Sequence, residues 1–91
     1  MPVPPRFPLG RILATPGVLG SVSQKEMLGA LARHASGDWG DVDDDDRKAN
    51  DDALRDGARV LSAYRTAAGT KLWVITEADR SSTTVLLPEE Y

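Results

Sequence analysis

The sequence of 91 residues contains no cysteine and only one histidine. Without cysteine there is no disulfide framework, thiolate zinc site, iron–sulfur cluster or cysteine nucleophile. A single histidine excludes a multi-histidine metal site within one chain, so the composition predicts neither a metal nor a cofactor. No apolar run approaches the roughly 18 residues that a membrane helix needs. The opening stretch MPVPPRFPLGR lacks a hydrophobic signal core, so we expect a cytoplasmic protein without a membrane partner.

The length suits one domain, because two would leave neither with a usable core. The net charge of −3 is uneven: residues 1–37 carry +3, residues 38–56 carry −6, and residues 57–91 are neutral. The acidic segment 38–56 has three interpretations: a solvated helix start, a DNA-mimicking surface, or a divalent-metal site. Its run Asp43–Asp46 lacks the ligand spacing of a calcium loop, and charge runs are usually solvated, so the first interpretation is favoured.

The prolines within residues 1–10 predict an irregular proline-rich arm, which is followed by a single domain over residues 11–91. Thr15-Pro16 is a typical helix start, and Ser23 with Glu26 fits a capping box for a second helix that Ser36-Gly37 ends. A third helix is predicted over 44–56, with aspartates in its first turn and Gly57 after its end.

After Gly57 the hydrophobic period changes to two, which predicts strands in ARVLSAYRT, KLWVITE and TTVLLPEEY. The predicted fold class is α+β, with two or three N-terminal helices packed on a three-stranded antiparallel β-meander. Met27, Leu28 and Leu31 are expected to face the sheet. The last strand could also pair with a second copy of the chain, so a homodimer is one candidate assembly.

From Arg33 onward, the stretches RHASGDWGD, a spaced Asn50 and GARVLSAYRTAAGTKLWVITEADRSSTTVLLPEEY resemble a family of small bacterial proteins. These "plasmid-related" proteins occur on plasmids, prophages and other mobile elements, and some carry the label of a restriction-system subunit. The resemblance covers roughly residues 11–91 and implies a mobile-element origin without implying an activity. A methyltransferase is excluded because 91 residues without a glycine-rich strand–helix motif cannot form its cofactor domain.

Five residues form a candidate catalytic set. His34 is the only imidazole, and it is either a helix-end histidine in a buried slot, a general acid or base, or a metal ligand. Arg59 and Arg80 lie on or beside the predicted sheet, where they suit either phosphate or ordinary ion pairs. Thr83 and Thr84 offer hydroxyls to a phosphate, or simply favour a strand. This set suggests a small ribonuclease or toxin similar to barnase, EndoU or colicin nucleases, although segment 38–56 would repel RNA.

A second set is a candidate for binding. Trp39 lies between two glycines and two aspartates, as either a core plug beneath a tight loop or an interface anchor. The remaining members are Asp38, Asp41, Asn50 and Arg80.

The sequence favours a small non-enzymatic interaction module of mobile elements that binds a protein partner, such as host defence or replication machinery. The alternatives are the ribonuclease and an acidic DNA mimic or antitoxin-like protein, so direct nucleic-acid binding stays open.

Overall fold

The computed structural model describes residues 4–91, and residues 1–3 of the predicted arm lie outside that range. The elements follow in chain order, ending in a 3-10 turn: β1 Arg11–Ala14, α1 Pro16–Ser21, α2 Gln24–Ala35, α3 Asp44–Asp56, β2 Val60–Arg65, β3 Lys71–Thr76, β4 Ser82–Leu86 and the turn Pro88–Glu90.

The four strands form one mixed sheet in the order β1-β4-β3-β2. The pairs β2–β3 and β3–β4 are antiparallel, whereas β1 runs parallel to β4. The α+β class is therefore confirmed, but the predicted three-stranded antiparallel meander is wrong. The helices are also not all N-terminal, because β1 precedes them. The four residues of β1 are too short to show a period of two, and for this reason the pattern missed this strand.

Strand β4 lies inside the sheet, between β1 and β3. Strand β4 therefore has no free edge, so it cannot pair with a second copy as predicted, and the homodimer itself stays a prediction. The strand ends at Leu86, and Pro88 begins the 3-10 turn because its ring removes a backbone donor.

Side-chain caps fix the start of each α-helix. The side chains of Thr15, Ser23 and Asp43 accept hydrogen bonds from backbone N–H groups in the first turns of α1, α2 and α3. Helix α3 ends at Gly57, whose φ of 75° is the left-handed conformation that glycine adopts without strain. The starts at Thr15 and Ser23 and the end at Gly57 are those that the capping signals predicted, whereas the cap at Asp43 was not predicted.

The helices pack on one face of the sheet, the inner face. A core cluster joins buried residues of α1 and α2 to Leu72, Val74 and Val85. A second cluster joins Ala53 of α3 to Val60 of β2. The face of α2 differs from the prediction, because Leu31 is buried while Leu28 is 55% exposed. Ala30, Ala35 and His34 complete the buried stripe instead.

The two edges of the sheet differ. Beside β2, Trp39 accepts a hydrogen bond from the backbone N–H of Ala63, and Asp41 donates one to the carbonyl of Ala63. The segment 39–41 therefore covers this edge, whereas no described strand lies beyond β1. No helix within residues 4–91 combines the length and hydrophobicity needed to cross a membrane.

Candidate functional site

His34 lies in the last turn of α2, on the stripe that faces the sheet, and its exposed fraction is 0%. Its Nδ1 is 2.5 Å from Oγ of Ser62 on β2, and its Nε2 is 2.8 Å from Oγ1 of Thr76 on β3. Thr76 is in turn 2.7 Å from the hydroxyl of Thr83 on β4. One imidazole thus connects three strands to a helix through hydrogen bonds.

The direction of these bonds follows by elimination. The hydroxyl of Thr83 donates to the carbonyl of Leu9, 2.7 Å away, so it can only accept from Thr76. Because Thr76 uses its proton on Thr83, His34 must donate to Thr76 from Nε2. Nδ1 then accepts from the hydroxyl of Ser62. A neutral ring protonated at Nε2 satisfies this chain, which we call the His34 network, and leaves no donor unused.

Aromatic rings enclose the imidazole. Phe7 and Trp39 make edge contacts with His34 at centroid distances of 5.3 and 5.7 Å. The guanidinium of Arg80 lies 5.5 Å from the centre of the Phe7 ring. Burial, reinforced by the positive charge of Arg80, lowers the pKa of His34 from 6.5 to about 4. The ring is therefore neutral at physiological pH.

The short Ser62–His34 contact has the pairing of a nucleophile and its base, but neither residue has solvent-exposed surface. A general base must come within hydrogen-bond distance of a substrate proton. The geometry instead matches the interpretation of His34 as a helix-end histidine in a buried slot. Within the described chain, no buried side-chain nitrogen or oxygen lacks a hydrogen-bond partner.

Both arginines of the catalytic set bind other parts of the fold. Arg80 donates to the carbonyls of Ala53 and Ala58 at 2.9 and 2.6 Å, and so ties the β3–β4 turn to the end of α3. The backbone of Arg80 itself has the left-handed conformation, with φ of 61°. Arg59 donates to the phenol oxygen of Tyr91 at 3.0 Å. The structure does not bring either guanidinium to an open cleft beside His34.

The two threonines of the set lie on opposite faces of β4. Thr83 pairs with Thr76 and is buried in the His34 network, whereas Thr84 pairs with Ile75 on the face without helices. Adjacent residues of a strand point to opposite faces, so they cannot position one phosphate together. The predicted catalytic set is thus divided over three places, which gives the ribonuclease alternative no support.

The predicted binding residues have mostly internal partners. Trp39 is 3% exposed, and its indole N–H donates to Asp51 at 2.9 Å, so it is a core plug and not an exposed anchor. Asp38 pairs with Arg33 at 2.7 Å, and that guanidinium holds the pKa of the carboxyl below its usual range. Asn50 bonds both backbone groups of Leu61, at 2.7 and 3.1 Å.

The acidic segment 38–56 also has internal partners. Asp43 caps α3, and Arg55 pairs with Asp52 and Asp56 at 3.1 and 3.4 Å. Asp41 is exposed at the surface. No group of three or more potential metal ligands occurs among residues 4–91. The interpretation as a solvated helix start accounts for these contacts, and a regular phosphate-like array does not.

Sequence reasoning missed Phe7, Ser62 and Thr76 as partners of His34. Ser62 did carry a signal, because the period of two puts this polar residue on the same face of β2 as Val60 and Tyr64. Thr76 and Phe7 carried none, since strand ends and proline-rich arms rarely contribute to a core.

Exposed apolar side chains instead concentrate near the N-terminal part of the fold. Ile12 and Leu13 of β1 are 44% and 42% exposed, and Leu19 of α1 and Leu28 of α2 are more exposed than either.

Comparison of the chain with models of protein families, with curated proteins and with solved structures found no match.

Proposed function

We propose that the chain is a small non-enzymatic interaction module of mobile genetic elements that binds a protein partner, such as host defence or replication machinery. The mobile-element part of this proposal depends on the sequence resemblance. The binding part depends on one observation: within residues 4–91 no strand pairs with the outer edge of β1, and this edge has exposed apolar side chains.

The backbone of β1 has donors and acceptors to offer. Arg11 and Thr15 donate their N–H groups toward β4, to the carbonyls of Ser81 and Val85. Since successive residues of a strand direct their backbone groups to opposite sides, the N–H and C=O groups of Ile12 and Ala14 point away from the sheet. Such an edge is a template for another strand.

The side chains of β1 indicate what chemistry an added partner strand would need. Ile12 pairs with Thr83 and Leu13 with Thr84, so the two aliphatic side chains lie on opposite faces of the edge. Arg11 makes no ion pair within the described chain. An extended segment with apolar side chains and one carboxylate opposite Arg11 would therefore complement this edge, in the mode known as strand addition.

The predicted interface anchor Trp39 does not offer a comparable surface. Trp39 is buried, and the segment around it already covers the β2 edge. We therefore propose β1, and not Trp39, as the binding surface.

Site-specific photo-crosslinking in the native host tests the proposal. A photoreactive amino acid at position 13 should crosslink one protein species, whereas the same amino acid at Ala49, exposed on α3, should not. Leu13→Lys in an otherwise unchanged chain should abolish co-purification of that species. Equal crosslinking from both positions, or co-purification that Leu13→Lys leaves intact, would contradict strand addition at β1.

A further inference from the structure

The sheet has a second face that no α-helix of residues 4–91 covers, which we call the open face. It carries Trp73, which pairs with Leu86 on one side and with Ala63 on the other. All three helices contribute their buried residues to the opposite, inner face. On the open face, Trp73 is partly exposed and contacts only one further aromatic ring, that of Tyr91.

Trp73 and Tyr91 form an aromatic platform on this face. Their ring centroids are 5.6 Å apart with an interplanar angle of 68°, and Tyr91 is 67% exposed. Arg59 holds Tyr91 in place through the hydrogen bond to its hydroxyl, and its guanidinium lies 5.3 Å from the ring centre. Exposed aromatic rings held in this way on a sheet offer stacking surfaces for unpaired bases.

Two positive charges lie beside the platform. Arg65 and Lys71 are directly opposite each other on β2 and β3, and both are exposed. Like charges in such a cross-strand pair repel each other and destabilise the sheet. Within the described chain neither has a carboxylate oxygen within 4.0 Å. An anion bound between the two would remove the repulsion.

The distances on the strand suit a nucleotide. Lys71 and Trp73 are two residues apart on the same face of β3, roughly 7 Å along the strand. A base stacked on Trp73 can therefore place its phosphate near Lys71 and Arg65. The groove between these side chains also includes Asp41, which opposes an anion and limits the affinity. Six of the protein's 14 acidic side chains lie elsewhere, on α3.

We propose that the open face binds single-stranded nucleic acid, with bases stacked on Trp73 and Tyr91 and phosphates held by Arg65 and Lys71. A duplex would not bind in this way, because its bases are already stacked on each other. This surface is separate from the β1 edge, so the proposal goes beyond protein binding and does not depend on it.

Fluorescence anisotropy with labelled 12-residue oligonucleotides (dT, rU and a DNA duplex) tests this proposal. The intact chain should bind the single strands at low salt with a Kd in the range of about 1–100 μM. The double variant Arg65→Gln/Lys71→Gln should weaken binding at least tenfold. It should also be no less stable than the parent, because it removes the cross-strand repulsion. The matched control Lys25→Gln/Lys48→Gln removes two exposed helix charges and should change binding less than twofold.

The salt dependence gives a second readout. Two phosphate contacts predict that log K falls with log salt at a slope of about −1.4, and the double variant should have a slope near zero. Asp41→Asn should tighten binding.

Absence of binding by the intact chain up to about 100 μM would overturn the proposal. Equal losses in both double variants, or duplex binding as tight as single-strand binding, would also overturn it. If the open-face variant loses only the protein partner crosslinked from β1, the face is a protein surface, and that result too would overturn it. Apart from this last outcome, these results do not bear on crosslinking at position 13.

Discussion

The buried imidazole of His34 should make the stability of the protein fall steeply in mild acid. The pKa of this group is about 4 in the folded protein, against 6.5 for an unperturbed imidazole, because burial and Arg80 disfavour the charged ring. Between these values the unfolded chain takes up a proton that the folded chain does not. The free energy of unfolding therefore falls as pH falls from 6.5 to 4, and the contribution of His34 to this loss is complete below pH 4.

The magnitude follows from the two pKa values. The complete loss is about 3 kcal/mol, and about 2 kcal/mol of it should occur between pH 7 and pH 5. For a domain of this size, a loss of 2 kcal/mol lowers the melting temperature by on the order of 10 °C. The assay is selective because the chain has only one histidine.

Urea unfolding at a series of pH values measures the effect, and the NMR shift of the His34 ring gives its pKa directly. The variant His34→Gln should be less stable at pH 7, yet its stability should hardly change between pH 7 and pH 5. A parent protein with flat stability over this range, or a folded-state pKa near 6.5, would refute the assignment of a neutral, buried ring.

Three further predictions concern residues that hold the elements together, and urea midpoints check each of them. Thr83→Val should cost about 2 kcal/mol because it interrupts the His34 network, whereas Thr84→Val on the open face should cost less than about 0.5 kcal/mol; similar costs would contradict the network. Gly40→Ala should cost about 3 kcal/mol or more, since its Cβ would be 2.1 Å from a carbonyl of β2. Gly57 has the same φ of 75° but open space around it, so Gly57→Ala should lower the free energy of unfolding by about 1 kcal/mol. An equal loss of stability at both glycines would show that the β2 edge is not closely covered. Asn50→Ala should cost about 2 kcal/mol because it frees both backbone groups that the amide binds on β2, and an unchanged midpoint would rule out that role.

The sequence predicted the local structure of this protein well. Helix starts at Thr15 and Ser23 and the helix end at Gly57 depend on side chains and glycine geometry within a few residues. The period of two predicted that Val60 and Tyr64 share one face of β2, and the structure shows that this face is the buried one. Such signals act over one turn or one strand, and so they can be read without the tertiary structure.

The arrangement of the sheet could not be predicted in the same way. Nothing local shows that β1 pairs in parallel with β4, about 70 residues later in the chain. Once that strand is added, β4 becomes central and β1 becomes the free edge. The predicted self-pairing of the last strand failed for this reason alone.

The candidate site shows the same limit. His34 was identified, and its buried interpretation was among the alternatives, but its partners Phe7, Ser62 and Thr76 come from three distant segments. Arg80 and Arg59 suit phosphate by residue type, and only the structure shows that carbonyls and a phenol oxygen already bind them. The cross-strand pair Arg65 and Lys71 was likewise hidden until the register of β2 and β3 was known.

Hydrogen exchange of the β1 amides, with and without the crosslinked partner, tests the proposed binding at the β1 edge most directly. In the free protein the N–H groups of Ile12 and Ala14 should exchange much faster than those of Arg11 and Thr15, which donate to β4. Addition of the partner should slow exchange at Ile12 and Ala14. If the partner instead protects the segment 39–41 and leaves these two amides unchanged, binding at the β1 edge is contradicted.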